Sequence, residues 1–215
     1  MTNAYDRSYL ERARTALGRM LDYAVYDMKY ELSAFWEMFL ASPVSGEFER
    51  GEASVLVGKS GVELALIVTG EEKCYPKPFY SEGRSDVYWL GWALAYYQWK
   101  TCITFSQITE FIPIDEIRSL YSPYHEMDIR QLCDRLTEMY AERKKQTNLK
   151  RRRLAVGLSQ SQLAALSGIP LRTIQQYEQQ QKDINNARAE YIIALSRVLY
   201  CDPALLLEIR LPEAN

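Results

Sequence analysis

The chain has 215 residues, a formal net charge of −2, and 47% hydrophobic and 25% charged residues, the make-up of an ordinary soluble globular protein of one or two domains. Its longest apolar run, Val87 to Trp99, is too short and too rich in Tyr and Gln to span a bilayer. Polar and charged residues rather than a signal sequence follow Met1. The cysteines Cys74, Cys102, Cys133 and Cys201 are scattered and His125 is the single histidine, so neither zinc nor another cofactor is expected and the chain reads as cytoplasmic.

In chain order, Asp6 to Tyr30 predicts a helix, because Leu10, Ala13, Leu17, Leu21, Ala24 and Met28 recur three and four apart and make one apolar stripe. Glu31 to Ala41 predicts a second helix, ended by Ser42-Pro43. Gly46 to Gly58 reads as irregular, with a short helix around Phe48. Ser60-Gly61-Val62-Glu63 is a capping box, which opens a helix that Gly70 closes. Glu71 to Arg84 holds two prolines, a glycine and mixed charge, the composition of a loop. Ser85-Asp86 then caps a helix over Val87 to Thr101 that is apolar nearly all round, as a central buried helix is. In it Gly91 and Ala95, four apart, would let a neighbour come close. Ser106 to Phe111 and Ile114 to Tyr121 read as short helices, and Met127 to Lys145 as a longer amphipathic one. No strand pattern and no repeat stands out. The reading is all-α, with a helical domain over residues 1–145 and a second domain over 146–215.

Charge supports that division. Ala141 to Lys182 holds nine basic and two acidic residues, so this window is +7 and the remainder −9. A basic module on an acidic body suits a phosphate backbone at one end only. Lys150-Arg151-Arg152-Arg153 lies on the module's first helix, whose buried side is assigned to Leu149, Leu154, Val156 and Leu158. These cations are candidates for neutralising phosphates.

The stretch Leu158 to Glu178 is the most informative. Ser159 with Gln162 is a capping box, and the helix it opens carries Leu163, Ala164 and Leu166 inward. Gly168 stops it, since glycine takes the left-handed conformation without steric cost. Pro170 fixes φ at the start of a second helix. Ile169, Ile174 and Tyr177 form its buried side. Leu171, Arg172, Thr173, Gln175 and Gln176 form its outer face. Two short helices joined by a glycine turn, the second with guanidinium and amide groups outward, make a helix-turn-helix. Arg can fork onto guanine O6 and N7, and Gln onto adenine N6 and N7. The plain alternative is a helical hairpin with a solvated polar face.

Leu149 to Leu206 also resembles the Cro and lambda-repressor (XRE) type helix-turn-helix domain, in Gly157-Leu158-Ser159-Gln160, Gln162-Leu163-Ala164, Ser167-Gly168-Ile169, Thr173-Ile174, Tyr177-Glu178 and the later Ala194-Leu195-Ser196-Arg197-Val198-Leu199 and Asp202-Pro203-Ala204-Leu205-Leu206. The resemblance implies a five-helix domain, a phosphate contact from Gln160 and base contacts from Arg172, Thr173 and Gln176. Pro170 stands where that family usually has Ser or Thr, which removes the usual side-chain cap. Tyr9-Leu10-Glu11-Arg12-Ala13-Arg14, Gly18-Arg19-Met20-Leu21-Asp22-Tyr23-Ala24, Ser60-Gly61-Val62-Glu63-Leu64-Ala65 and the run Tyr88 to Trp99 resemble helical proteins of anaerobic Gram-positive bacteria that stand beside small toxin-like proteins. This resemblance implies an antitoxin-like regulator.

The remaining features carry no chemistry. There is no phosphate loop, nucleophile elbow or metal motif. Glu71-Glu72 and Asp115-Glu116 are adjacent pairs that cannot face each other on a helix. His125 has no orienting partner in sequence. The aromatic run Phe79 to Trp99 reads first as a packed core and second as a ligand pocket. The expectation is therefore a non-enzymatic regulator. It binds double-stranded operator DNA as a homodimer through base contacts at Leu171, Arg172, Thr173, Gln175 and Gln176 and backbone contacts at Lys150, Arg151, Arg152, Arg153 and Gln160. Residues 1–145 are expected to bind a partner protein, a toxin. The rival expectations are a small-molecule sensor and an enzyme with an appended DNA-binding domain.

Overall fold

The computed structural model describes residues 3–71 and 85–208. The loop expected over 71–84, including Glu72, Cys74, Phe79 and Tyr80, lies outside the described residues apart from Glu71. Among the described residues there are only helices and turns. They fall into two compact units, Met1–Tyr140 and Ala141–Asn215, with the division inside one helix.

In the first unit, a 3-10 turn at Arg7–Tyr9 leads into α1 (Leu10–Tyr26). Leu10, Ala13, Leu17, Leu21 and Ala24 are buried along α1, and Met28 just beyond its end. Two helices follow, α2 (Leu32–Ala41) and α3 (Pro43–Glu49). Ser42 serves both: its N–H closes α2, and its hydroxyl accepts from Val44 N–H with Pro43 in the first turn of α3. The short helix expected around Phe48 is α3, which begins earlier, at Pro43, and the rest of the stretch expected to be irregular holds a further single turn, α4 (Ala53–Leu56). Helix α5 (Gly61–Thr69) opens on the Ser60–Glu63 capping box and ends at Gly70 with φ of 70°.

Helix α6 (Asp86–Thr101) starts at the Ser85 cap and packs along α1. This pairing needs glycine from both helices. A Cβ at Gly91 would stand 2.6 Å from the Leu17 carbonyl oxygen, and one at Gly18 would stand 2.8 Å from the Tyr88 carbonyl oxygen. The one helix-breaking residue in α1 is thus a packing requirement of the α1–α6 contact. Four helices follow: α7 (Phe105–Phe111), α8 (Ile114–Ser119), α9 (Tyr121–Tyr124) and α10 (Ile129–Lys144). Thr104 and Gln107 form a capping box at the start of α7. Trp36, Phe39, Phe48 and Phe105 meet ring to ring with centroids 5.1 to 5.7 Å apart, and all four are buried. These four aromatics are part of a packed core. Trp92 is only half-buried, and the Arg14 guanidinium lies 3.2 Å from its ring centroid.

The second unit contains α11 (Asn148–Ala155), α12 (Gln160–Ser167), α13 (Leu171–Glu178) and α14 (Ala189–Val198). A 3-10 turn at Ile184–Asn186 precedes α14, and a 3-10 helix at Pro203–Leu206 closes the unit. Its core is Leu149, Leu163, Ile169, Ile174, Tyr177, Ile184, Ile192, Leu195, Leu199 and Leu206. Three apolar residues assigned inward are exposed instead: Leu154 (51%), Val156 (39%) and Leu166 (63%). For Leu154 the reason lies in the phase of α11, which turns Leu149 and Arg153, four apart, toward the core and Leu154 away from it.

Candidate nucleic-acid interface

The local sequence builds a rigid frame around α13. Ser159 Oγ accepts from Gln162 N–H at 3.1 Å while Gln162 Oε1 accepts from Ser159 N–H at 2.8 Å, so the start of α12 is satisfied in both directions. Gly168 takes φ of 70° and closes α12. Pro170 is the residue before α13 rather than its first helical residue, at φ −54° and ψ 133°, and gives no side-chain cap. Ile169, Ile174 and Tyr177 are buried as their spacing predicts. After α13 the chain turns at Gln180, φ 58°, and Gln181 and Lys182 donate their N–H groups to the Gln176 carbonyl at 2.9 and 3.1 Å.

A buried ion pair locks this frame. Arg153 on α11 donates from Nε to Glu178 Oε1 at 2.6 Å and from Nη2 to Glu178 Oε2 at 2.8 Å, and its Nη1 donates to the Leu158 carbonyl at 2.7 Å. Gln160 Nε2 donates to Glu178 Oε2 at 2.8 Å. One carboxylate at the end of α13 therefore gathers α11 and the first residue of α12. The fork is bidentate, the geometry in which Arg binds a carboxylate best. The hydrogen bonds that Arg153 donates to Glu178 outweigh burial and raise the Arg153 pKa.

The residues singled out in sequence separate into distinct roles. Leu171 and Arg172 are exposed on α13, and Thr173, Gln175 and Gln176 are half-exposed beside them. They share one helix whose opposite side is buried, so their polar ends come together on one face. On α11, Arg152 is exposed and Lys150 half-exposed. Arg151 is half-exposed and donates to Asn148 Oδ1. Arg153 is a correction. It is 6% exposed with all its nitrogens engaged, so it holds the frame and is removed from the backbone-contact set. Gln160 keeps a second amide hydrogen beyond the one given to Glu178, and so can still serve a phosphate. The pair Arg153–Glu178 escaped the sequence reading, although a signal was there: Glu178 falls four residues after Ile174, in phase with the buried side of α13.

What the arrangement can do chemically follows from these positions. A short helix carries a guanidinium and amides outward, cations stand on α11, and the helix is held by a core and an ion pair. Hydrogen-bond donors and acceptors on a fixed helix can read base edges, while the flanking cations hold phosphates. Among the described residues no group of His, Cys, Asp and Glu is arranged to hold a metal ion, and no helix is long and apolar enough to cross a membrane.

Comparison with known proteins agrees with this geometry. Residues 149–206 match the helix-turn-helix family model, from the first buried leucine of α11 to the last buried leucine of the closing 3-10 helix. No curated protein and no solved structure matches the chain. Residues 149–206 are an XRE-type helix-turn-helix domain, through which the chain is a DNA-binding transcription regulator.

Proposed function

We propose that the chain is an operator-binding autorepressor that acts as a homodimer in the cytoplasm, and that its N-terminal region binds and neutralises a toxin encoded beside it. The observation that carries the DNA-reading part is the outer face of α13, where Arg172, Gln175 and Gln176 project from a helix fixed on its other side by Ile174, Tyr177 and the Arg153–Glu178 pair. A dimer would present two such helices to half-sites about one helical turn apart, roughly 34 Å. The antitoxin part is supported by the proportion of the chain outside 149–206 and by the acidic balance of the N-terminal unit, which disfavours a phosphate backbone as its partner. Catalysis has no place in this reading.

Two experiments test the two parts separately. In a gel-shift titration on a selected operator, Arg172→Ala and Gln176→Ala are each expected to cost about 1–3 kcal/mol and to relax base preference at one position. Unchanged affinity and preference in both variants would remove α13 as the reading helix. For the partner, each neighbouring gene product is co-expressed with the full chain and tested for toxicity and retention. If none is toxic alone and none is retained, the antitoxin part is abandoned and the DNA-binding part stands.

A further inference from the structure

Within the second unit, α14 turns Ile192, Leu195 and Ser196 into the core. By helical phase the side opposite them carries Glu190, Ala194 and Arg197, with Ile193 beside them. Glu190 and Arg197 are exposed, Ala194 is half-exposed, and Ile193 is 45% exposed although it is a branched apolar side chain. The two charges have no use within their own helix. They stand two turns, about 10 Å, apart, too far to pair with each other. Every residue three or four positions from either one is uncharged. Among the described residues neither forms an ion pair.

A second oddity closes the helix. Tyr200 takes φ of 50°, and Cys201 N–H donates to the Ser196 carbonyl at 3.1 Å, so the chain leaves α14 through the left-handed turn where glycine is the default. A tyrosine is strained there, and its side chain gains little cover in return, since Tyr200 is 89% exposed. The order of these residues is self-complementary. Glu190 and Arg197 lie equally far on either side of the midpoint between Ile193 and Ala194. A second copy related by a two-fold axis through that midpoint runs its α14 antiparallel to the first. Glu190 of each copy then meets Arg197 of the other, and Ile193 of each lies on Ala194 of the other, whose small side chain lets the axes approach to about 8 Å. Tyr200 of each reaches the start of the other α14.

From this arrangement we infer that the outer face of α14 is the surface on which two copies of this chain pair, antiparallel, through two symmetric Glu190–Arg197 contacts around Ile193 and Ala194. The inference rests on the homodimer proposed above and gives it a face, a register and an axis. Two ten-residue helices cover less surface than a permanent dimer does, so the association is reversible and can be titrated.

The test is sedimentation equilibrium on the full chain without DNA. The unaltered chain is expected to self-associate. Glu190→Arg sets guanidinium against guanidinium at both symmetric contacts, and Arg197→Glu sets carboxylate against carboxylate, so each is expected to weaken association by about tenfold. Combining the two restores opposite charges and is expected to restore association. Ile193→Asp places charges at the centre and is expected to leave monomers. Tyr200→Gly is expected to weaken association while raising the melting temperature, because glycine relieves the left-handed turn; a residue that served only its own fold would not divide the two readouts in this way. All four side chains are exposed, and a thermal melt checks that each variant is folded. A chain that stays monomeric overturns the proposal, and so does association that survives Ile193→Asp, or a combined charge swap weaker than either single one. A gel shift of the unaltered chain on a duplex carrying one half-site of the selected operator accompanies these runs. Absence of a shift there would count against the DNA-binding reading, while the sedimentation result would still decide the pairing face.

Discussion

Arg153 shows how one residue can belong to a basic run and yet have a different task from its neighbours. Lys150, Arg151 and Arg152 lie beside it in sequence, but only Arg153 is turned four residues from Leu149 into the core, where Glu178 meets it. Breaking a buried pair leaves a charge without a partner and costs about 3–5 kcal/mol. Glu178→Ala should therefore destabilise the second unit by about that amount in a urea melt, since Glu178 is buried against Arg153. Arg152→Gln should leave the melt unchanged and reduce the salt slope of DNA binding by about one counterion. If Arg153→Gln behaved like Arg152→Gln in both measurements, the division of roles drawn from the geometry would be wrong. The four consecutive cations look alike as letters. What separates them is helical phase, and the apolar letters Leu154 and Val156 suggested a different phase from the one adopted.

At the level of elements, the parts of the fold marked by local chemistry were legible in sequence, and those set by packing between distant segments were not. Capping boxes at Ser60 and Ser159, stops at Gly70 and Gly168 and the stripe on α1 depend on neighbours within a turn or two, and the structure has each of them. Helix α3 was legible only as a short helix around Phe48 and α4 not at all, because a seven-residue and a four-residue helix draw their stability from what they cover. On α13 the outward residues were legible for the same local reason, whereas Arg153–Glu178 spans 25 positions. The α1–α6 crossing offers a direct test of such packing. Gly91→Ala must push the Leu17 backbone aside and should destabilise by about 1–3 kcal/mol, the usual cost of overpacking. At Gly46 an added Cβ meets only the flexible end of Arg50, at 3.2 Å, so Gly46→Ala should instead stabilise by about 0.5–1 kcal/mol. Equal effects at the two sites in chemical melts would sink the close-approach argument.

The N-terminal end of α6 adds a pH test at the same scale. Asp86 accepts from Arg118 Nε at 2.6 Å and from Tyr26 Oη at 2.9 Å. Burial pushes its carboxyl pKa up, but those hydrogen bonds and the Arg118 charge outweigh it and hold the value below the ordinary 3.8. A depressed carboxylate stabilises the fold above its unfolded pKa and loses that contribution as pH falls through the folded value. Asp22, nearby, has the opposite sign: burial raises its pKa, so ionisation opposes folding as pH rises past 3.8. The stability lost in Asp86→Asn should accordingly be constant near neutral pH and shrink as pH falls below 3.8. A gap that widened with acid would contradict the assignment.

Over the whole molecule, charge is the property that most clearly separates the two units. Residues 141–215 carry twelve basic and seven acidic residues, and residues 1–140 carry fourteen basic and twenty-one acidic. A DNA duplex binds by releasing counterions, and the slope of log affinity against log salt is about −0.9 for each phosphate neutralised. A unit with an acidic balance is expected to add little to that number. A fragment of residues 141–215, which has its own core, should therefore show the same salt slope as the full chain, within about one counterion. Its affinity is a separate matter. If residues 1–140 hold two copies together, the fragment would bind each half-site singly and its operator affinity would fall although its slope per copy would not. If the second unit pairs by itself, both quantities would be retained. A titration across salt concentrations with the full chain and the fragment, scored per bound copy, distinguishes these cases. A markedly shallower slope for the fragment would show that the N-terminal unit touches the phosphate backbone, against its charge.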